Sequence, residues 1–275
     1  MLCDTCCNNV LICIAGVDML EDKLRDFIST REGNIAVTVK ALRSCMEIKI
    51  NADMEFPSAS IIKLSIMSEL FNKINDDIYK LDDEIEINEE MKTGGDGILK
   101  ELNCGHRFTL KELCTLMIIL SDNTATNILI NLLGMDNINS AAARLGMKKT
   151  KIQRKMMDLQ AAKEGRNNFT TSDDFSHILE LMYKGENVNE AYSGVMLDIL
   201  KRQQVRGRLD LYLPEEVVIA HKTGDLDNLE HDGGIVYLPD GEYIICVLTN
   251  EVKTNKEGRE IIGEISKMVF DEMTA

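Results

Sequence analysis

Three short segments carry residue types capable of covalent chemistry: Ser60-Ile61-Ile62-Lys63, Ser121-Asp122-Asn123 and Lys222-Thr223-Gly224. Phe56-Pro57 precedes the first. Proline pushes the residue before it out of helical geometry, so the segment reads as a strand exit feeding a helix, with Ser60 in the first turn. There the helix dipole is positive, and Lys63, three residues on, shares the face of Ser60. A serine hydroxyl is a poor nucleophile until a neighbour takes its proton. A lysine takes it only when burial or other cations depress its pKa. Each segment alone has a plainer reading: a helix start with an exposed lysine, an Asp or Asn helix cap, and an edge-strand lysine that discourages aggregation. With the other two segments present, the first points instead to a serine nucleophile with Lys63 as its partner.

The elements that must position these residues follow from hydrophobic periodicity. Residues 19–30 read as a helix, and 34–41 and 45–50 as paired strands. From Ser60 to about Gln204 the pattern is helical almost throughout, over 60–74, 110–120, 124–133, 138–145, 172–182 and 189–201. Thr109 with Glu112, and Thr171 or Ser172 with Asp174, are helix-start signals. Strands return near 216–222, 233–238 and 243–249, the last two joined by Leu238-Pro239-Asp240-Gly241 as a hairpin. A last helix covers about 256–271. The expected fold is α+β: a mainly antiparallel five-stranded sheet with the terminal helices on one face, plus an inserted all-helical subdomain on the other. The expected parts are an extension over 1–18, a sheet-and-helix subdomain over 19–59 and 205–275, and a helical subdomain over 60–204.

Composition narrows the partners. The net charge of −15 and the lack of a long basic stretch argue against nucleic acid and fit a soluble protein. Eight cysteines occur, at 3, 6, 7, 13, 45, 104, 114 and 246. Cys114 and Cys246 sit in apolar runs and read as buried free thiols. Cys3, Cys6 and Cys7 contain a Cys-x-x-Cys with no His nearby, a poor metal site. The apolar run 10–17 lacks the basic flank of an export signal and is too short to span a membrane. These features favour the cytoplasm, with a degenerate export signal as the alternative, and a monomer acting on a small molecule.

The three motifs together resemble those of class A β-lactamases and penicillin-binding proteins, and the likeness extends over about residues 20–272. It implies a β-lactamase/transpeptidase-like fold and acyl transfer through Ser60 without metal or cofactor. It further implies that the Ser121 hydroxyl shuttles a proton to the leaving nitrogen and that Asn123 binds the substrate amide carbonyl and helps hold Lys63. Asp122 would be structural. Lys222 and Thr223 would bind a substrate carboxylate, and Gly224 would let the ligand approach the backbone. The N–H groups of Ser60 and Asp225 would form the oxyanion hole. Gly94-Gly95-Asp96-Gly97-Ile98-Leu99 resembles the flexible segment rimming the cleft. The family's carboxylate-binding Arg commonly lies where this chain has Asp232-Gly233-Gly234. Arg208 occupies the position used by other members and is the candidate here.

The likeness breaks at one loop. Class A β-lactamases carry a Glu about 96 residues after the nucleophile that activates the deacylating water. Arg154-Lys155-Met156-Met157-Asp158-Leu159-Gln160 has Met156 there, Met157 in the next register, and Gln160 where an Asn positions the water. Asp158 is the nearest carboxylate; the resemblance matches it to a structural acidic residue that faces elsewhere, and a replacement base is its alternative reading. A β-lactam hydrolase with slow deacylation is the leading expectation. A D-alanyl peptidase or esterase, or a non-hydrolytic penicillin-binding sensor, are its competitors.

Overall fold

The computed structural model describes residues 18–44 and 46–275; the readings placed on residues 1–17, with Cys3, Cys6, Cys7 and Cys13, and on Cys45 lie outside them. Five antiparallel strands form one sheet in the order β2-β1-β9-β8-β7. They are β1 (Asn34–Ala41), β2 (Glu47–Ile50), β7 (Val218–Leu226), β8 (Leu229–Tyr237) and β9 (Tyr243–Asn250). Alternation along a strand sends neighbouring side chains to opposite faces. Ile35, Val37 and Val39 of β1 join Tyr243, Ile245 and Val247 of β9 in one core, against Leu20 and Leu24 of α1 (18–29) and Ile261, Ile262 and Ile265 of α9 (Asn255–Met273). Ala36, Ile244, Cys246 and Leu248 point the other way, into a second core built mainly by helices.

The second core surrounds α2 (Lys63–Asn75), in which ten of thirteen residues are buried. Around it lie α3 (Leu110–Ile119), α4 (Asn123–Leu133), α5 (Met135–Arg144), α7 (Ser172–Tyr183) and α8 (Glu190–Lys201). Thr109 and Glu112 form a reciprocal capping box on α3, and Thr171 accepts from Asp174 N at the start of α7. A short helix, α6 (Leu159–Lys163), follows Met156 and Met157 in the loop where the resemblance breaks. Among the described residues no helix is long and apolar enough to cross a membrane.

Three local readings need correction. The helical stretch contains a small strand pair, β4 (Glu84–Glu86) with β5 (Arg107–Thr109), and a further short strand, β6 (Phe169–Thr170), which pairs with β3 (Phe56–Pro57) just ahead of the stretch. Strands of two or three residues are too short to show a period. The β7–β8 hairpin extends well past the expected ends, to a tight turn between Leu226 and Leu229. Its polar and glycine residues hid it, yet their burial is satisfied in pairs: His221 Nδ1 lies 2.9 Å from Asp232 Oδ1. Finally, Ser60 lies in a 3-10 turn, Ala59–Ile62, ahead of α2 rather than in the α-helix itself. Ala59 adopts φ 44°, and this left-handed residue swings the chain from β3 into the turn.

Candidate active site

Ser60 is fixed by its neighbours on both sides. Ser58 N donates to Asn168 O at 2.8 Å, tying the residues before the turn to the far side of the cleft. Strand β7 passes so close that a Cβ on Gly224 would lie 3.0 Å from Ser60 N. A side chain at 224 would thus press on the turn that carries Ser60 and shift it by a few tenths of an ångström, so glycine there serves the turn in addition to any need of a ligand. Ser60 and Asp225 both line the resulting cleft of about 160 Å3.

Lys63 enters the cleft from the first turn of α2 and is fully buried. Its Nζ lies 2.9 Å from Ser60 Oγ, 2.7 Å from Ser121 O, 3.2 Å from Ser121 Oγ and 3.1 Å from Asn123 Oδ1. Burial disfavours the ammonium form and lowers the Lys63 pKa to about 7, against the opposing pull of Asp96, Asp122 and Asp225. A near-neutral pKa at hydrogen-bond distance from a serine is what a general base for that serine needs.

The opposite wall comes from the loop between α3 and α4. Asp122 caps α4 by accepting from Ala125 N at 2.9 Å, and its other oxygen accepts from Ile98 N and Leu99 N at 2.7 and 2.9 Å. One structural carboxylate thus holds the glycine-rich rim against the start of α4. Ser121 stands at φ 55°, a strained conformation for a side-chain-bearing residue. There its Oγ lies within reach of both amines, since Lys222 Nζ donates to it at 2.9 Å. Lys222 also donates to Thr223 O at 2.7 Å. Burial, then the adjacent Lys63 charge, push the Lys222 pKa well below that of a free lysine. Lys222 and Thr223 are buried at the back of the site beside Ser121, behind the residues that line the open cleft. Asn123 Nδ2 donates to Gly94 O at 3.1 Å, and a Cβ on Gly95 would meet that nitrogen at 2.5 Å. The rim glycines allow this close approach.

The third wall is the loop carrying Met156. Asn127 grips its backbone twice, accepting from Met156 N at 2.8 Å and donating to Met156 O at 3.1 Å. Met156 lines the cleft, with Met157 and Leu159 exposed beside it. Asp158 is turned away: its Oδ1 accepts from Ala161 N at 3.0 Å and caps α6. Gln160 is exposed and donates to Glu164 at 2.8 Å. The structure therefore brings neither Asp158 nor Gln160 to the cleft, because each is engaged within α6.

Arg208 also departs from expectation. It is buried, with Nε 2.7 Å from Glu230 Oε2 and Nη2 3.1 Å from Asp225 Oδ1. Its charge is matched by two carboxylates, so it is not a free cation for a substrate carboxylate. Ser60, Lys63, Ser121, Asn123 and Lys222 are brought together, with Thr223, Gly224 and Asp225 adjoining. Two residues at the cleft were missed. Asn127 lies one helical turn beyond Asn123 on the same face, a spacing visible in the sequence. Asp96 lines the cleft from the segment that resembles the family's flexible rim, where no role for its carboxylate was expected.

Fold and site together define a serine hydrolase of the β-lactamase and penicillin-binding-protein type. More particularly, the chain belongs to the beta-lactamase enzyme family, which matches residues 19–273. A β-lactamase of Bacteroides uniformis is 24% identical over 273 residues, covering 92% of this chain and 91% of its own. The crystal structure of a β-lactamase from Sphaerobacter thermophilus superposes with a TM-score of 0.84 at 29% identity, covering 94% of this chain and 96% of its own. A leucine-to-glutamate mutant of PBP-A, solved as an acyl-enzyme complex with penicillin G, gives a TM-score of 0.86 at 25% identity and covers 94% and 97%.

Proposed function

We propose that this protein opens β-lactams, or related amides bearing a carboxylate, through an acyl-enzyme on Ser60, and that deacylation is its slow step. The observation that carries the reading is the buried Lys63 amine, 2.9 Å from Ser60 Oγ and with a pKa near 7. Neutral Lys63 takes the Ser60 proton as Oγ attacks the carbonyl carbon. The N–H groups of Ser60 and Asp225 receive the developing oxyanion. Ser121 Oγ, within 3.2 Å of Lys63 Nζ and 2.9 Å of Lys222 Nζ, returns a proton to the leaving nitrogen. Asn123 orients the amide of the acyl group, and Lys222 with Thr223 receives the carboxylate. No step requires a metal or cofactor.

Deacylation lacks comparable support. It needs water activated beside the ester, where the Met156 thioether accepts protons poorly and favours an apolar wall. General-base assistance is typically worth about 10²–10⁴-fold, so its loss leaves the acyl-enzyme long-lived. That same wall favours a second reading, a D-alanyl peptidase or esterase that is acylated on Ser60 by β-lactams and releases them only slowly. A time course of intact mass with penicillin G separates the outcomes. A persistent one-equivalent adduct on Ser60 is expected. Rapid turnover without an adduct would overturn slow deacylation, and no adduct with no hydrolysis would overturn the β-lactam reading.

A further inference from the structure

The charges on the cleft lining are unevenly compensated. Arg154, on the Met156 loop, donates to Asn167 Oδ1 and Lys155 O at 3.2 Å each. Asp225 shares one oxygen with Arg208, which is itself held by Glu230. Asp96 stands exposed on the rim. Its neighbouring lysines are directed elsewhere: Lys92 pairs with Glu89 at 2.8 Å, while Lys100 donates to Gly95 O at 2.6 Å and lies 3.5 Å from Glu101. Asp96 lines the same cleft as Ser60, and its backbone O accepts from Asn123 N at 3.0 Å, so it stands beside the cluster around Lys63. It belongs to the segment packed against Asn123 Nδ2. With Asn123 on the acyl amide, substituents of the acyl group extend past this rim, whereas the substrate carboxylate lies toward Lys222.

Resting on the acyl-transfer reading above, we infer that Asp96 is a specificity-determining residue that selects acyl groups carrying a cationic substituent close to the scissile carbonyl. The preferred substrate class is then an acyl donor with an ammonium group on the acyl side and a carboxylate on the leaving side. At the exposed rim, attraction between unit charges is modest and is screened by salt.

The test uses three penicillins that share one nucleus: benzylpenicillin, its α-amino derivative ampicillin and its α-carboxy derivative carbenicillin. Second-order rates of Ser60 acylation are measured by intact mass at mildly acidic pH, where an α-ammonium group is charged. The amino derivative is expected to acylate about three- to tenfold faster than the neutral one, and the ratio should shrink as salt is raised. Asp96→Asn should bring the ratio to near one, whatever common change the lost charge makes to all three rates through Lys63. Equal rates, a faster carboxy derivative (Arg154 then reading the side chain), or a preference that survives Asp96→Asn would each overturn the inference. If no penicillin labels Ser60, the β-lactam reading fails. The charge order is then measured with p-nitrophenyl esters whose acyl groups are cationic, neutral or anionic, and the same ranking decides.

Discussion

The two long sides of the cleft are built to different standards. On the side of Ser60, Lys63, Ser121 and Lys222, buried amines share one hydroxyl, and the backbone is strained at Ala59 and Ser121 to hold it. On the loop side, Asn127 grips the backbone of Met156, but the side chain it presents offers no base. The loop is therefore held in place without the group that would activate water. On the function proposed above, acylation and deacylation place separate demands on such a fold, and the buried, bonded side serves the first.

The largest expected effect is on the amine side. Ser60→Ala should abolish covalent labelling by a penicillin, while Ser58→Ala, whose hydroxyl is turned to Ala59 O, should still label. Undiminished labelling of Ser60→Ala would place the nucleophile elsewhere.

Next, Lys63→Met should slow acylation by about 10²–10⁴-fold, the usual range for loss of a general base. Because the Lys63 pKa is lowered to about 7, its neutral, proton-accepting form grows as pH rises through neutrality. Acylation should rise over that interval in the unmodified protein and lose the step in the variant. A flat profile in the unmodified protein would remove Lys63 as the base.

The loop side should respond in the opposite direction. Met156→Glu should speed deacylation about tenfold or more, with a smaller change in acylation. Gln160, facing Glu164, leaves the water without its second partner and keeps the gain at the low end. Single-turnover decay of the adduct reads this directly, and an unchanged decay would show that a carboxylate alone cannot equip this wall.

The smallest effect sharpens the amine side itself. Lys222→Ala should weaken acylation by carboxylate-bearing probes a few-fold more than by neutral esters. An equal loss for both would mean that Lys222 acts only through Ser121.

Much of this was legible in the sequence because it is local. The Ser60–Lys63 pair, the caps at Thr109 and Thr171, and the period-two runs of β1 and β9 are set by residues a few positions apart. What escaped depends on distant partners. Arg208 read as a free cation because Glu230 and Asp225, which engage it, reach it only through the sheet. The β7–β8 hairpin was cut short because His221, Asp232 and the paired glycines are strand residues only as a buried set. The alternative of Asp158 as a base stayed open because α6, which it caps, is a helix of only five residues. The missing Glu was plain from counting, since the motif spacing survives around it.

The placement of β9 bears on how such a site comes into being. It lies between β1 and β8, so that Asn34 pairs with Asn250 and the strand carrying Lys222 is joined to β1 only through β8 and β9. On the ribosome, β1 and the Ser60 turn emerge long before the strand that links them to the second lysine. The nascent protein must therefore carry the Ser60 turn without Lys222 for most of its synthesis. Such long-range pairing also folds slowly, so the appearance of reactivity toward an acylating probe marks the closing of the sheet.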